Sequence, residues 1–185
     1  MSEQRYHLVY LEATTESVVR LARELREWMR SEGWSVAAEG LVDWLGPRED
    51  PVPADRYGPR LERLARSRRA DHHEDHVTVH DSWRMYLGSE AMAGVGCPHC
   101  EHLLGFDDGD ALGEACDHWW RNLTAPALTC PACGATAPMD RWDLDRGMAV
   151  GTLAITLELV DEHEEFRSAL RARFPGRWAG IYEHF

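Results

Sequence analysis

Tyr6-His7-Leu8-Val9-Tyr10-Leu11 is the run on which the fold turns. It is apolar at nearly every position and rich in β-branched and aromatic side chains, the pattern of a strand covered on both faces. Thr14 or Thr15 is placed to cap a helix, with Glu16 in its first turn. Val18, Leu21, Ala22, Leu25, Trp28 and Met29 then recur at helical spacing, and Gly33 stops the run. Trp34-Ser35-Val36-Ala37 reads as a second strand. The far end of the chain repeats this order. Met148 to Val160 is expected to be one long strand, with Leu153, Ile155, Leu157 and Leu159 on one face and Thr152, Thr156 and Glu158 on the other. Asp161 and Glu164 form a capping-box pattern for the next helix, whose apolar side is Phe166, Ala169 and Leu170. Pro175-Gly176 ends it, and Trp178 to Phe185 returns as a strand.

Strand-helix-strand at both ends, with further strands between, is an α+β pattern. By its order of elements it resembles the ferredoxin-like split strand-helix-strand sandwich. Residues 1–90 and 147–185 are then the two halves of the sandwich, and 91–146 is an inserted module. Such a sheet carries helices on one face, so the other is expected to be covered by the insertion, by a partner or by a second copy in a homodimer. Eight tryptophans supply large apolar area for that purpose, with Trp44, Trp83, Trp119, Trp120, Trp142 and Trp178 as candidates.

The segments between are less regular. Gly46-Pro47 and Asp50-Pro51-Val52-Pro53 read as an exposed loop. Arg60 to Arg69 reads as a short helix with Leu61, Leu64 and Ala65 on one side, and it is the one basic cluster in the chain. Val77-Thr78-Val79-His80 and Trp83-Arg84-Met85-Tyr86-Leu87 flank Asp81-Ser82, which suggests an antiparallel pair. In the dense run Asp71-His72-His73-Glu74-Asp75-His76, a strand reading puts His76, Thr78 and His80 on one face and Val77 and Val79 on the other. His72, His76, His80 and Asp81 are therefore candidates for a second metal site, or with Asp75 for acid-base chemistry.

Cys97-Pro98-His99-Cys100 and Cys130-Pro131-Ala132-Cys133-Gly134 supply four thiolates, the full ligand set of a closed tetrahedral zinc site. These knuckles resemble the zinc-ribbon class over residues 95–140. The resemblance implies one structural Zn2+ per chain, bound by Cys97, Cys100, Cys130 and Cys133, with no coordination position left for water. Iron in a rubredoxin-like site is the alternative occupant of the same thiolates. Two departures from the class stand out. Glu101 occupies the position of Gly134 in the other knuckle, and the interval between knuckles carries a helix signal at Leu112, Ala115, Cys116, Trp119 and Leu123. Cys116 falls on the apolar side of that helix, as a packing residue. Asp107-Asp108-Gly109-Asp110 reads as a solvent turn, since it lacks the far carboxylate of a calcium loop.

Charge narrows the function classes. The net charge is −12, and all 20 basic residues are arginine. Residues 71–146 hold 4 Arg against 14 acids, so the excess sits in the middle of the chain. That sign repels phosphate backbones and favours basic surfaces. No apolar run reaches membrane-span length. The expectation is a cytoplasmic, non-enzymatic adaptor, regulator or antagonist that meets a basic protein partner through a zinc-ordered acidic insertion. A nucleic-acid-binding zinc ribbon and a metal-dependent enzyme using the region from His72 to Asp81 are the two alternatives.

Overall fold

Six antiparallel strands form the backbone of the protein. The computed structural model describes residues 4–43, 51–65, 75–88, 94–105, 110–122, 125–143, 147–158 and 164–184. In sheet order the strands are β12 (Trp178–His184), β1 (Gln4–Tyr10), β11 (Leu153–Glu158), β4 (His76–His80), β3 (Val52–Tyr57) and β2 (Ser35–Asp43). β1 is an interior strand, pairing with β11 from Arg5↔Glu158 to Tyr10↔Leu153 and with the edge strand β12 from Gln4↔His184 to Tyr10↔Trp178. Helix α1 (Val18–Ser31) follows β1, and α4 (Glu164–Arg173) joins β11 to β12. The short α2 (Pro59–Ala65) follows β3. No helix among the described residues is long and apolar enough to cross a membrane.

Pleating divides the sheet cleanly. Tyr6 and Leu8, Val77 and Val79, and Leu153, Ile155 and Leu157 face the three helices. They pack there against Val18, Ala22, Leu25 and Met29 of α1, Leu61 of α2 and Phe166 and Leu170 of α4. Trp34 lies edge-on to Phe166 at 5.0 Å in the same core. The expected helix therefore buries the expected stripe, but it begins at Val18. Thr14 and Ser17 bond reciprocally in a turn ahead of it, which delays the first helical residue.

The opposite face is covered by a two-stranded ribbon of β5 (Arg84–Leu87) and β10 (Met148–Gly151), paired from Met148↔Leu87 to Gly151↔Arg84. Tyr86 and Ala149 point into the sheet, against Val9, Ala154, Ala179 and Ile181. Met85, Met148 and Val150 point the other way, into a separate core with Leu112, Trp119, Met139, Trp142 and two of the cysteines. The ribbon is thus a shared wall between two cores.

Three sequence expectations change accordingly. Met148 to Val160 is not one strand: the chain bends at Gly151-Thr152 and leaves the ribbon for the sheet. β4 and β5 are not a hairpin pair, since β4 lies between β11 and β3 while β5 belongs to the ribbon. Val52-Pro53, expected in a loop, opens β3. Pro53 is tolerated because the ladder to β4 starts only at Ala54↔Thr78, so no bond to that neighbour is lost. Trp44, the loop at Gly46-Pro47, Arg66 to Arg69, Asp107 to Gly109, Leu123, Leu159, Val160 and the Asp161 cap lie outside the described residues.

The bend brings β10 hard against β1. A methyl group on Gly151 would stand 2.7 Å from Val9 Cγ1, itself fully buried. Gly151→Ala is therefore expected to destabilise the protein by about 1–3 kcal/mol through overpacking. Urea unfolding measures it; an unchanged midpoint would show that Val9 moves aside freely.

Candidate metal centre and a buried polar cluster

Each cysteine pair sits on its own hairpin. The first knuckle joins β6 (Val95–Gly96) to β7 (Leu103–Leu104), and the second joins β8 (Ala127–Thr129) to β9 (Thr136–Pro138). The turns use the same hydrogen bonds. Cys97 N–H donates to His102 O at 2.9 Å and Glu101 N–H to Cys97 O at 3.0 Å; Cys130 N–H donates to Ala135 O and Gly134 N–H to Cys130 O, both at 2.9 Å. Both turns need a left-handed residue after the second cysteine, which is Gly134 at φ 70° and Glu101 at φ 60°. The Glu101 departure from the zinc-ribbon pattern is thus a change of residue without a change of backbone.

The hairpins bring all four sulfurs together. Cys97 and Cys133 Sγ are 3.8 Å apart, Cys100 and Cys130 Sγ 3.6 Å, and all four ligand atoms lie within 4.8 Å of one another. A tetrahedral ion with bonds of about 2.3 Å to sulfur sets its ligands about 3.8 Å apart, so the cluster fits a metal of that kind. The His99 N–H points at Cys97 Sγ from 3.4 Å, the type of amide contact that stabilises a bound thiolate. Without a cation, four thiols this close cannot all ionise. At Cys100 the bond to the His102 backbone is outweighed by desolvation and the neighbouring sulfurs, and its thiol is pushed up to about 12. At Cys130 desolvation is overcome by the amides of Cys133 and Ala132, which hold it down to about 6. Helix α3 (Ala111–Asn122) lies between the hairpins and buries Leu112, Ala115 and Trp119 beneath them. Cys116 packs its sulfur 3.7 Å from Met148 Sδ, and burial raises its pKa, as suits a packing residue.

Of the other expected site, the described members His76, His80 and Asp81 meet different groups. His72 lies outside the described residues. His76 and His80 share the ribbon-facing side of β4, but Thr78 stands between them and they meet different groups. Asp81 turns to the helix side, within 3.5 Å of Arg26 on α1. Asp75 accepts the Tyr57 N–H through its backbone oxygen at 3.3 Å.

His76 instead meets two carboxylates from distant strands. Its Nε2 is 3.7 Å from Asp43 Oδ1 and 3.9 Å from Glu158 Oε1, while Arg5 Nε is 2.6 Å from Glu158 Oε1. Burial raises the pKa of Glu158 against Arg5 and His76. At Asp43 burial loses to His76 and Arg5, and the carboxyl is held at about 2. Deeper in the same face, Thr156 Oγ1 lies 2.8 Å from both His7 Nδ1 and His80 Nε2, and His7 Nε2 is 2.9 Å from Glu183. The hydroxyl has one proton and two lone pairs, so at least one of the two rings donates to Thr156 and at most one accepts from it. Sequence reasoning missed Asp43, Glu158, Arg5 and His7 as site residues. The available signal was polar side chains within otherwise apolar strands that are covered on both faces.

No protein-family model, curated protein or solved structure matches the chain. What it holds must be read from its own geometry.

Two predictions follow from these environments. Glu101→Gly is expected to stabilise the folded protein by up to about 1 kcal/mol by relieving a left-handed non-glycine residue, and Gly134→Ala to destabilise it by a similar amount, both read by thermal unfolding. Burial, only partly offset by Asp43 and reinforced by His7, Arg26 and Arg5, pushes His80 down from 6.5 to about 3. Between those values the unfolded imidazole binds a proton that the folded one refuses, so stability falls as pH drops through the window. The slope approaches about 1.4 kcal/mol per pH unit. His80→Gln should flatten the difference between pH 6.5 and pH 4 relative to wild type; superimposable pH profiles would contradict it.

Proposed function

We propose that the protein is a non-enzymatic, cytoplasmic interaction protein in which one zinc ion per chain orders an acidic module that meets a basic protein partner. The observation that carries this reading is the four-sulfur cluster of Cys97, Cys100, Cys130 and Cys133 at tetrahedral spacing, which leaves a bound ion no open position for chemistry. Zinc is favoured over iron because the site braces two hairpins and a helix, a structural task that needs no redox change. In architecture we take the protein as a ferredoxin-like sandwich, for which the strand order β12-β1-β11-β4 and the placing of α1 and α4 speak. Residues 91–146 are then an inserted zinc-ribbon module.

Charge favours a basic partner. Acids on the exposed side of the module include Glu101, Asp110, Glu114 and Asp117. The described part of the basic cluster is already engaged: Arg63 lies 2.6 Å from Glu165, and Arg60 lies 3.2 Å from Glu165 and 3.4 Å from Glu32. Those guanidiniums are neutralised within the protein, which speaks against the nucleic-acid alternative.

Purified protein is expected to carry about one zinc per chain by elemental analysis, and Cys97→Ser or Cys130→Ser to lose it with a large fall in melting temperature. A metal-free wild type with an unchanged melting temperature in Cys97→Ser would overturn the zinc reading. A partner retained from cytosol at low salt should be released at high salt and lost in Glu114→Arg/Asp117→Arg. Retention that ignores both salt and the charge reversal would overturn the electrostatic one.

A further inference from the structure

Asp43, His76 and Glu158 come from the ends of three strands, β2, β4 and β11, and their ligand-type atoms lie within 4.8 Å of one another. Asp43 is 2% exposed and Glu158 8%, so both carboxylates are withdrawn from water. Asp43 Oδ2 is buried with no hydrogen-bond partner among the described residues. An ionised oxygen so placed is costly unless a cation or donor meets it. The distances of 3.7 and 3.9 Å from His76 Nε2 to the two carboxylates exceed hydrogen-bond length. They are wider than the spacing of about 3.0–3.4 Å between neighbouring ligands on an octahedral or tetrahedral ion with bonds of about 2.1 Å, so the three side chains need to close by less than about 1 Å around a cation.

We propose that Asp43, His76 and Glu158 form a second metal site, for a divalent first-row cation of the Mn2+ and Fe2+ type, separate from the cysteine cluster. One imidazole and two carboxylates are a harder donor set than four thiolates and select such ions over those that prefer sulfur. Three protein ligands also leave coordination positions open to water or to a small anionic ligand, which the four-cysteine site does not. Arg5 is the internal competitor. Its Nε holds Glu158 Oε1 at 2.6 Å and its guanidinium reaches Asp43 Oδ1 at 3.7 Å. These are the same oxygens that face His76, so a bound ion takes the place of Arg5 at them or turns each carboxylate to offer its other oxygen. The single positive charge of Arg5 does not balance the two carboxylates it touches. The Tyr57 hydroxyl donates to the Glu158 backbone oxygen and fixes the end of β11 at the site. The zinc-ordering role does not depend on this site, nor the site on that role.

The test is titration of zinc-loaded wild-type protein with Mn2+, followed by electron paramagnetic resonance. One Mn2+ per chain is expected to bind, with magnetic coupling to a single imidazole nitrogen, while the zinc content stays at one per chain. Absence of protein-bound Mn2+, or bound Mn2+ without nitrogen coupling, overturns the proposal. Asp43→Asn, with folding checked by circular dichroism and by its retained zinc, is expected to weaken Mn2+ binding by about tenfold or more. An unchanged affinity in that variant overturns the assignment of Asp43. These readouts on the wild type hold whether or not the variant folds.

Discussion

The fold depends on one strand pair that has no free face. In β10, Met148 and Val150 serve the core beneath the metal hairpins while Ala149, between them, serves the central sheet. Its partner β5 divides Met85 and Tyr86 in the same way. A two-stranded ribbon alone is marginal, so its stability must come from burial on both sides. Every apolar side chain it offers except the exposed Leu87 is claimed by one core or the other, and loosening either core exposes the back of the other. The bend at Gly151-Thr152 makes this arrangement feasible, since it lets consecutive residues leave one sheet and enter another without a long connection.

Sulfur geometry plays a different part. The cysteine hairpins are very short, two or three residues per strand, and could not hold their shape through ladder bonds alone. Their turn amides are divided between the knuckle backbone and the cysteine sulfurs, and Cys97 and Cys130 are buried among Leu104, Leu128 and Ala137. A metal would therefore lock two turns onto a small apolar core that the ribbon joins to the central sheet. Removing it should loosen the module first and reach the central sheet chiefly through β5 and β10.

What could be read in the sequence was whatever a local pattern fixes. The α1 stripe, the cysteine spacing and the strand-helix-strand order at each end are all short-range, and each has its counterpart in the structure. The failures share a cause. The pattern places Thr156 and Glu158 only on the face opposite the leucines and Ile155, and that face too is buried. Alternation reports which residues share a face, not whether that face meets water. Val52-Pro53 looked like a loop because proline usually leaves ladders, and only the late start of the pairing with β4 makes room for it. Convergence of Asp43, His76 and Glu158 across more than 100 residues has no local signature at all.

The polar face of the sheet explains why such a convergence matters. A ribbon supplying Tyr86 and Ala149 covers the apolar half of that face, where Val9, Ala154, Ala179 and Ile181 lie. Arg5, His7, Thr156, Glu158, His76 and Asp43 make up the remainder, almost as deeply enclosed. Apolar residues of similar volume would fill the space at lower electrostatic cost, since a buried ion network offsets its desolvation only when its charges are well matched. Here the match is incomplete, with Asp43 held at about 2 and Glu158 raised within the same cluster. Burial wins at Glu158 while the shared imidazole and guanidinium win at Asp43, so the two carboxylates are poorly suited to passive packing. They are well suited to receiving a further positive charge, and that separates this face from the apolar core on the other side of the same strands.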